Sequence, residues 1–248
     1  MSLYPRLRDL PVQVDGYALD GLERDVSSDF TRRTTVVRLH GGGEEGLGED
    51  VTYDGGDQAA FQRAGPVHDL AGSHTLESFS DVLGGLDLFP AGAPRVPGWR
   101  FYRRWAFESA ALDLALRQAG RTLADALGRR PRPVRFVVSL RLGSPPDAGR
   151  VRRLLALYPG TRFKLDPTGD WDERLVADLA ALDAVETVDL KGAYRGTSVD
   201  QPGDPRLYRL VAEGFPDAWI EDPDLTTPAA DEALRAHRDR MSWDAIIH

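Results

Sequence analysis

Arg162-Phe163-Lys164-Leu165-Asp166, Val185-Glu186-Thr187-Val188-Asp189-Leu190-Lys191, Ala218-Trp219-Ile220-Glu221-Asp222-Pro223 and Met241-Ser242-Trp243-Asp244 are four short apolar runs, each ending in charge. Between them lie segments of helical character, such as Glu173 to Leu182 and Leu207 to Gly214. The terminal charges recur at steps of 25 (Lys164 to Asp189), 32 (Asp189 to Glu221) and 23 (Glu221 to Asp244). A strand, a crossover helix and two short loops need about that length. Repeated strand–helix units build a parallel sheet flanked by helices, and all its strands end at one edge. The charges therefore converge in space though they are far apart in sequence. Three are carboxylates and lysines stand beside them, a combination suited to holding a metal ion and moving protons.

Upstream of these runs, Val134 to Leu140 reads as a further strand, set off by Pro131 and Pro133, and a helix is expected over Asp147 to Leu157. Five strands are thus predicted, at about 134–140, 161–166, 185–191, 217–222 and 240–246. Before them, Trp105 to Leu127 carries apolar residues at helical spacing, with Gly128 to close it. Glu108 and Asp113 in that helix read as ordinary polar contacts. Val12 to Leu19 is predicted as one strand and Arg33 to Leu39 as a second, with Arg24 to Thr31 a polar loop between them. The cluster His40-Gly41-Gly42-Gly43-Glu44-Glu45-Gly46-Leu47-Gly48-Glu49 reads as a turn and a returning strand. It lacks Gly-Lys-Ser/Thr and so does not read as a phosphate cradle. Helices are expected near Asp57–Arg63 and Thr75–Leu83. The first 130 residues thus form an α+β domain, and residues 131–248 the strand–helix series.

Composition narrows the function classes. The chain has 248 residues, 42% hydrophobic and 28% charged, as in ordinary globular proteins. Its net charge of -8, without a basic cluster interleaved with aromatics, argues against a nucleic-acid partner. Cysteine is absent, which excludes thiol nucleophiles, disulfides and thiolate metal sites. No run has the ~20 apolar residues of a membrane span, and the first residues lack a signal-peptide core. No membrane partner and a cytoplasmic location are the resulting expectations.

The ordered set resembles the enolase superfamily, in its muconate-lactonising, o-succinylbenzoate-synthase and mandelate-racemase branches. The residues that carry the resemblance are Gly46-Leu47-Gly48-Glu49, read as a turn, the alanine-rich helix from Ala106 to Gly128, and Lys164 on the second strand. Asp189, Glu221 and Asp244 then stand at the ends of the third, fourth and fifth. The resemblance implies an α/β barrel of the modified TIM type, (β/α)7β, with an N-terminal α+β capping domain. It also implies that Asp189, Glu221 and Asp244 bind one Mg²⁺, and that a base removes the proton α to the carboxylate of a small substrate. Racemase, dehydratase, cycloisomerase and synthase chemistry all fit, in a homo-oligomer of two or more chains.

The chemistry agrees with the residue types. Mg²⁺ takes hard oxygen ligands, and a divalent ion offsets the charge that forms on a carboxylate as its α-proton leaves. A lysine near the ion and other cations is expected to have a lowered pKa and so to serve as base. Taken singly, Asp189 and Asp244 read as helix caps or loop charges. As a set they read as a shared site, chiefly on the resemblance. Trp171, Trp219 and Trp243 are expected in the core or a pocket wall. Tyr194 and Arg195 are placed in a loop over the site.

The sequence departs from the family in two ways. The second strand has Lys164-Leu165-Asp166 where the related branch has Lys-x-Lys, so a carboxylate takes the expected base position. A lysine, Lys191, instead follows the third-strand ligand Asp189. Lys191 or Lys164, with Asp166 on the same face as Lys164, is the candidate acid/base. Length is the second departure. A closed barrel needs about 250 residues, whereas about 115 follow Val134. The chain is therefore expected to be a fragment of a longer protein, lacking the last barrel strands. The competing expectation is a degenerate homologue that binds metal without catalysis. A metal-free phosphate-binding barrel is disfavoured by the absence of a late glycine-rich turn.

Overall fold

The computed structural model describes residues 3–27, 30–89, 92–192 and 201–243. The chain divides into two compact units, Met1–Arg132 and Pro133–His248. In the first unit, strand β1 (Pro11–Val14) leads to β2 (Gly16–Ser27), β3 (Phe30–Gly41) and β4 (Glu44–Asp50). Thr35, Val37 and Leu39 of β3 are fully buried and alternate with more exposed neighbours, the pattern of a strand covered on one face. The strands β2, β3 and β4 form an antiparallel sheet in that order. The expected single strand over Val12–Leu19 is two, because β1 leaves this sheet to pair with β5 (Gly72–Thr75). Of the expected polar loop Arg24–Thr31, residues 24–27 instead belong to β2 and residues 30–31 to β3. The cross-strand pairs Glu23–Arg33 and Asp25–Thr31 let polar residues extend the ladder.

Helices α1 (Gly55–Ala64) and α2 (Leu76–Gly84) begin at side-chain caps, Asp54 and Thr75. The alanine-rich segment differs from its expected span. Helix α3 covers Trp99–Gln118, the chain turns at Gly120 with φ +60°, and α4 (Leu123–Leu127) is a separate short helix capped by Thr122. The buried face of α3 includes Trp99, Arg103, Ala106, Phe107, Ala110, Ala111, Leu114 and Ala115, while Trp105 is exposed. Gly46 and Gly48 are not turn residues. They lie within β4, where a Cβ on Gly48 would stand 1.9 Å from the Ala106 carbonyl oxygen. Small residues on both elements let helix and strand backbones touch. Glu108 and Asp113 make the ordinary contacts expected of them, with Arg104 and Ser80, and with Arg117 and the Leu47 N–H.

In the second unit five parallel strands follow in the order β10-β9-β8-β7-β6. They are β6 (Val137–Leu140), β7 (Arg162–Leu165), β8 (Val185–Asp189), β9 (Trp219–Glu221) and β10 (Met241–Ser242). The connecting helices are α5 (Gly149–Leu157), α6 (Glu173–Ala180), α7 (Pro205–Gly214) and α8 (Pro228–Ala233), the last followed by a 3-10 turn. Asp172, Asp204 and Thr227 cap the last three helices. Their apolar stripes, such as Leu207, Tyr208 and Val211, pack with Phe163, Leu165, Val188 and Ile220 of the sheet. Among the described residues this sheet is open, with β6 and β10 at its edges, in keeping with the expected series of five strands, too few to close a barrel. Phe136, just before β6, is 84% exposed. No helix among the described residues is long and apolar enough to cross a membrane.

Candidate metal and proton-transfer site

Parallel register brings the strand ends level. Lys164 of β7 pairs with Thr187 of β8, Leu165 with Val188, and Asp189 stands beside Glu221 of β9. Asp166 therefore follows β7 at the level where Asp189 ends β8. The Asp166 N–H donates to the Leu140 carbonyl and the Leu190 N–H to that of Glu221, so the ladder persists past the strand ends. Immediately beyond, Lys191 and Asp222 adopt left-handed backbone, with φ +55° and +49°. That conformation costs an L-residue roughly 1–2 kcal/mol, and such strain is concentrated where side chains must be aimed. Gly192 follows Lys191 because a Cβ there would meet the Asp224 backbone nitrogen at 2.3 Å.

The carboxylates and lysines meet. Lys164 Nζ lies 2.8 Å from Asp189 Oδ2 and donates to Glu221 Oε1 at 2.5 Å. Lys191 Nζ donates to the same Asp189 Oδ2, and its N–H donates to Asp189 Oδ1. Asp166 Oδ2 accepts from Arg141 Nε at 3.3 Å, and its Oδ1 is 3.9 Å from Lys191 Nζ. The expected neighbour of Lys164, Asp166, is thus not its partner. Asp189 is fully buried and is not a helix cap. One oxygen each from Asp189, Glu221 and Asp222 lie within 4.8 Å of one another, and Asp222 is also fully buried. Asp244, Tyr194 and Arg195 lie outside the described residues. Trp171 is a core residue, but Trp219 and Trp243 are 49% and 39% exposed and not in the core.

Burial and the Asp189 charge raise the Asp166 pKa, against the pull of Lys191 and Arg141. Burial also raises that of Glu221, where Lys164 opposes it and Asp189 and Asp222 add to it. For Lys164, burial lowers the pKa, but the hydrogen bonds and charges of Asp189 and Glu221 outweigh it and raise it on balance. The direction follows from its nearest charges, which are the carboxylates of Asp189 and Glu221.

Two features of the site were not drawn from the sequence. Asp222, which the sequence marks only as a supporting neighbour of the site or a solvated charge, joins the carboxylate group. Of the 31 lysine and arginine residues, just two are lysines, and both stand here. That scarcity was legible and is the stronger signal. Lysine differs from arginine as a compact, titratable point charge.

Residues 5–126 match the family described as the N-terminal domain of a domain of unknown function (DUF8230), and residues 130–248 match its C-terminal domain. No curated protein is similar to the chain in sequence. Solved structures share its fold. A muconate cycloisomerase from Pseudomonas fluorescens is 17% identical with a TM-score of 0.57, over 94% of this chain and 65% of that one. An enolase from Bradyrhizobium, complexed with magnesium and mandelic acid, is 16% identical with a TM-score of 0.62, over 94% and 68%. An enolase from Mycobacterium smegmatis, complexed with tartrate, is 19% identical with a TM-score of 0.61, over 94% and 62%. The resemblance read from the strand ends is therefore present in the fold. This chain spans less than two thirds of the length of the muconate cycloisomerase it matches.

Proposed function

The chain belongs to the DUF8230 family, and from its strand-end cluster we propose that it is a Mg²⁺-dependent enzyme removing the proton α to the carboxylate of a small substrate. One observation carries the reading: three buried or half-buried carboxylates and the sequence's only two lysines meet at the carboxyl edge of a parallel sheet. The fold it shares with a magnesium-containing enolase supports it further.

The donor set fits the ion. Mg²⁺ at about 2.1 Å from each oxygen separates its ligand atoms by roughly 3–4 Å, and the oxygens of Asp189, Glu221 and Asp222 lie within 4.8 Å of one another. These three would hold the ion. When bound, it would supply positive charge to offset the negative charge that builds on the substrate carboxylate as the α-proton leaves.

The remaining work falls to the chain's own side chains. Lys164 bridges Asp189 and Glu221, which suits it to balancing their charge. Lys191 touches Asp189 and approaches Asp166, and it is the proposed proton acceptor. Asp166, tied by Arg141, orients the Lys191 amine from the neighbouring strand. The lysine that the related branch carries at position 166 is thus replaced by one delivered from the next strand.

The test is solvent deuterium exchange at the α-carbon of a panel of small carboxylic acids, with Mg²⁺ present and followed by NMR. Exchange by the wild type that is lost in Lys191→Met supports the reading. Magnesium binding with no exchange of any acid supports the degenerate, non-catalytic homologue instead.

A further inference from the structure

We propose that Lys164 is the resident counter-ion of the acidic cluster, and that a divalent ion enters only by displacing its ammonium. The inference rests on the divalent-ion reading above and adds what this chain's own lysine does to it. Lys164 Nζ takes one oxygen from Asp189 and one from Glu221, at 2.8 and 2.5 Å. Those residues supply two of the three carboxylates that would grip a metal. An ion gripped by those two carboxylates would stand so close to the ammonium that bridges them that their repulsion would expel one of the two. The two cations therefore exclude each other.

The surroundings provide for the exchange. The Lys164 side chain is 22% exposed, whereas that of Asp189 is 0% exposed, so the lysine has a way out to water and its partner does not. Asp189 Oδ2 also serves Lys191, which would have to give up that contact. A replacement acceptor stands ready. Asp166 Oδ1 is buried, has no hydrogen-bond partner among the described residues, and is 3.9 Å from Lys191 Nζ. A shift of about 1 Å would bring that pair to hydrogen-bond length. Lys164 moves outward and Lys191 sideways, and the Asp189 oxygen is freed.

Because the sequence has only two lysines, amine acylation followed by peptide mapping reads each one separately on the full chain. Mn²⁺ is the probe, since it takes the same oxygen ligands and its binding is read by electron paramagnetic resonance. Saturating Mn²⁺ is expected to raise the acylation rate of Lys164 several-fold. Lys164→Met is expected to bind Mn²⁺ roughly tenfold more tightly, since a charged hydrogen-bonding competitor has been removed. If Mn²⁺ binds while Lys164 acylation stays constant or slows, and Lys164→Met binds no more tightly, the counter-ion inference is overturned and the metal reading stands. Should Lys164→Met fail to fold, the wild-type acylation rates decide alone. If neither wild type nor Lys164→Met binds Mn²⁺, the metal reading itself is lost and this inference with it.

Discussion

Asp189 and Glu221 stand side by side in the β8–β9 register, and one ammonium, that of Lys164, lies within 2.8 Å of both carboxylates. Two acids on neighbouring strands are thus held together by a base from a third. The arrangement makes Asp189, which is fully buried and serves both lysines, the residue on which the cluster most depends.

Asp189→Asn removes the charge that both ammoniums use. Breaking a buried pair from one side costs about 3–5 kcal/mol, and a loss of that order is expected in urea unfolding at pH 7. A cost below 1 kcal/mol would mean that the lysines find other partners.

Magnesium should raise the melting temperature of the wild type and leave that of Asp189→Asn unchanged. At a hundred times its dissociation constant a ligand adds about 2.7 kcal/mol to stability. Calorimetry with and without the ion measures this directly, and an equal rise in both proteins would place the bound ion elsewhere.

The raised pKa of Lys164 fixes a pH dependence. The folded state holds this proton more tightly than the unfolded state does. The stabilisation is therefore complete below the ordinary lysine pKa of about 10.4 and is lost as pH rises through the higher folded-state value. Denaturant titrations of wild type and Lys164→Met should differ by a constant amount up to pH 9 or so, with the gap closing above it. A gap that widened with pH would contradict the assigned direction.

In the first unit, Arg103 is buried with its guanidinium 2.8 Å from Asp50, between the rings of Phe61 and Phe89 at 4.0 and 3.7 Å. Asp50→Asn should destabilise by about 3–5 kcal/mol, because it leaves a buried cation uncompensated. Arg103→Met in the same background should recover part of the loss, which a double-mutant cycle would measure.

Gly48→Ala would drive a methyl group to within 1.9 Å of the Ala106 carbonyl oxygen. Neither β4 nor α3 can yield without separating, so a loss of roughly 3 kcal/mol or more is expected, at the upper end of overpacking costs. Chemical denaturation followed by tryptophan fluorescence is the measurement.

The parallel series was legible because each unit combines an apolar run, a terminal charge and a helical stretch, and such units have few ways to pack. The convergence of the charges that end β7, β8 and β9 was expected from that geometry, whereas their reading as one metal site came chiefly from the family resemblance, and the third expected ligand, Asp244, lies outside the described residues. Asp222 was not legible as a member, since its inward placing depends on a left-handed backbone that no side-chain pattern announces. The first unit was harder. Gly46 and Gly48 look like turn residues by type, and only the helix lying against them explains their place in a strand. The extension of β2 and β3 was missed because polar cross-strand pairs, Glu23–Arg33 and Asp25–Thr31, carry the ladder into a stretch that intrinsic propensity assigns to a loop.

The gathering of both lysines at adjoining strand ends has a practical consequence for proteolysis. An endoproteinase that cuts only after lysine has two sites in the whole sequence, after Lys164 and after Lys191. Both are fastened into the same ionic knot, so cleavage must wait until that part of the sheet comes apart. The digestion rate then becomes a gauge of how often the second unit opens, and any ligand that tightens the knot should slow the clock.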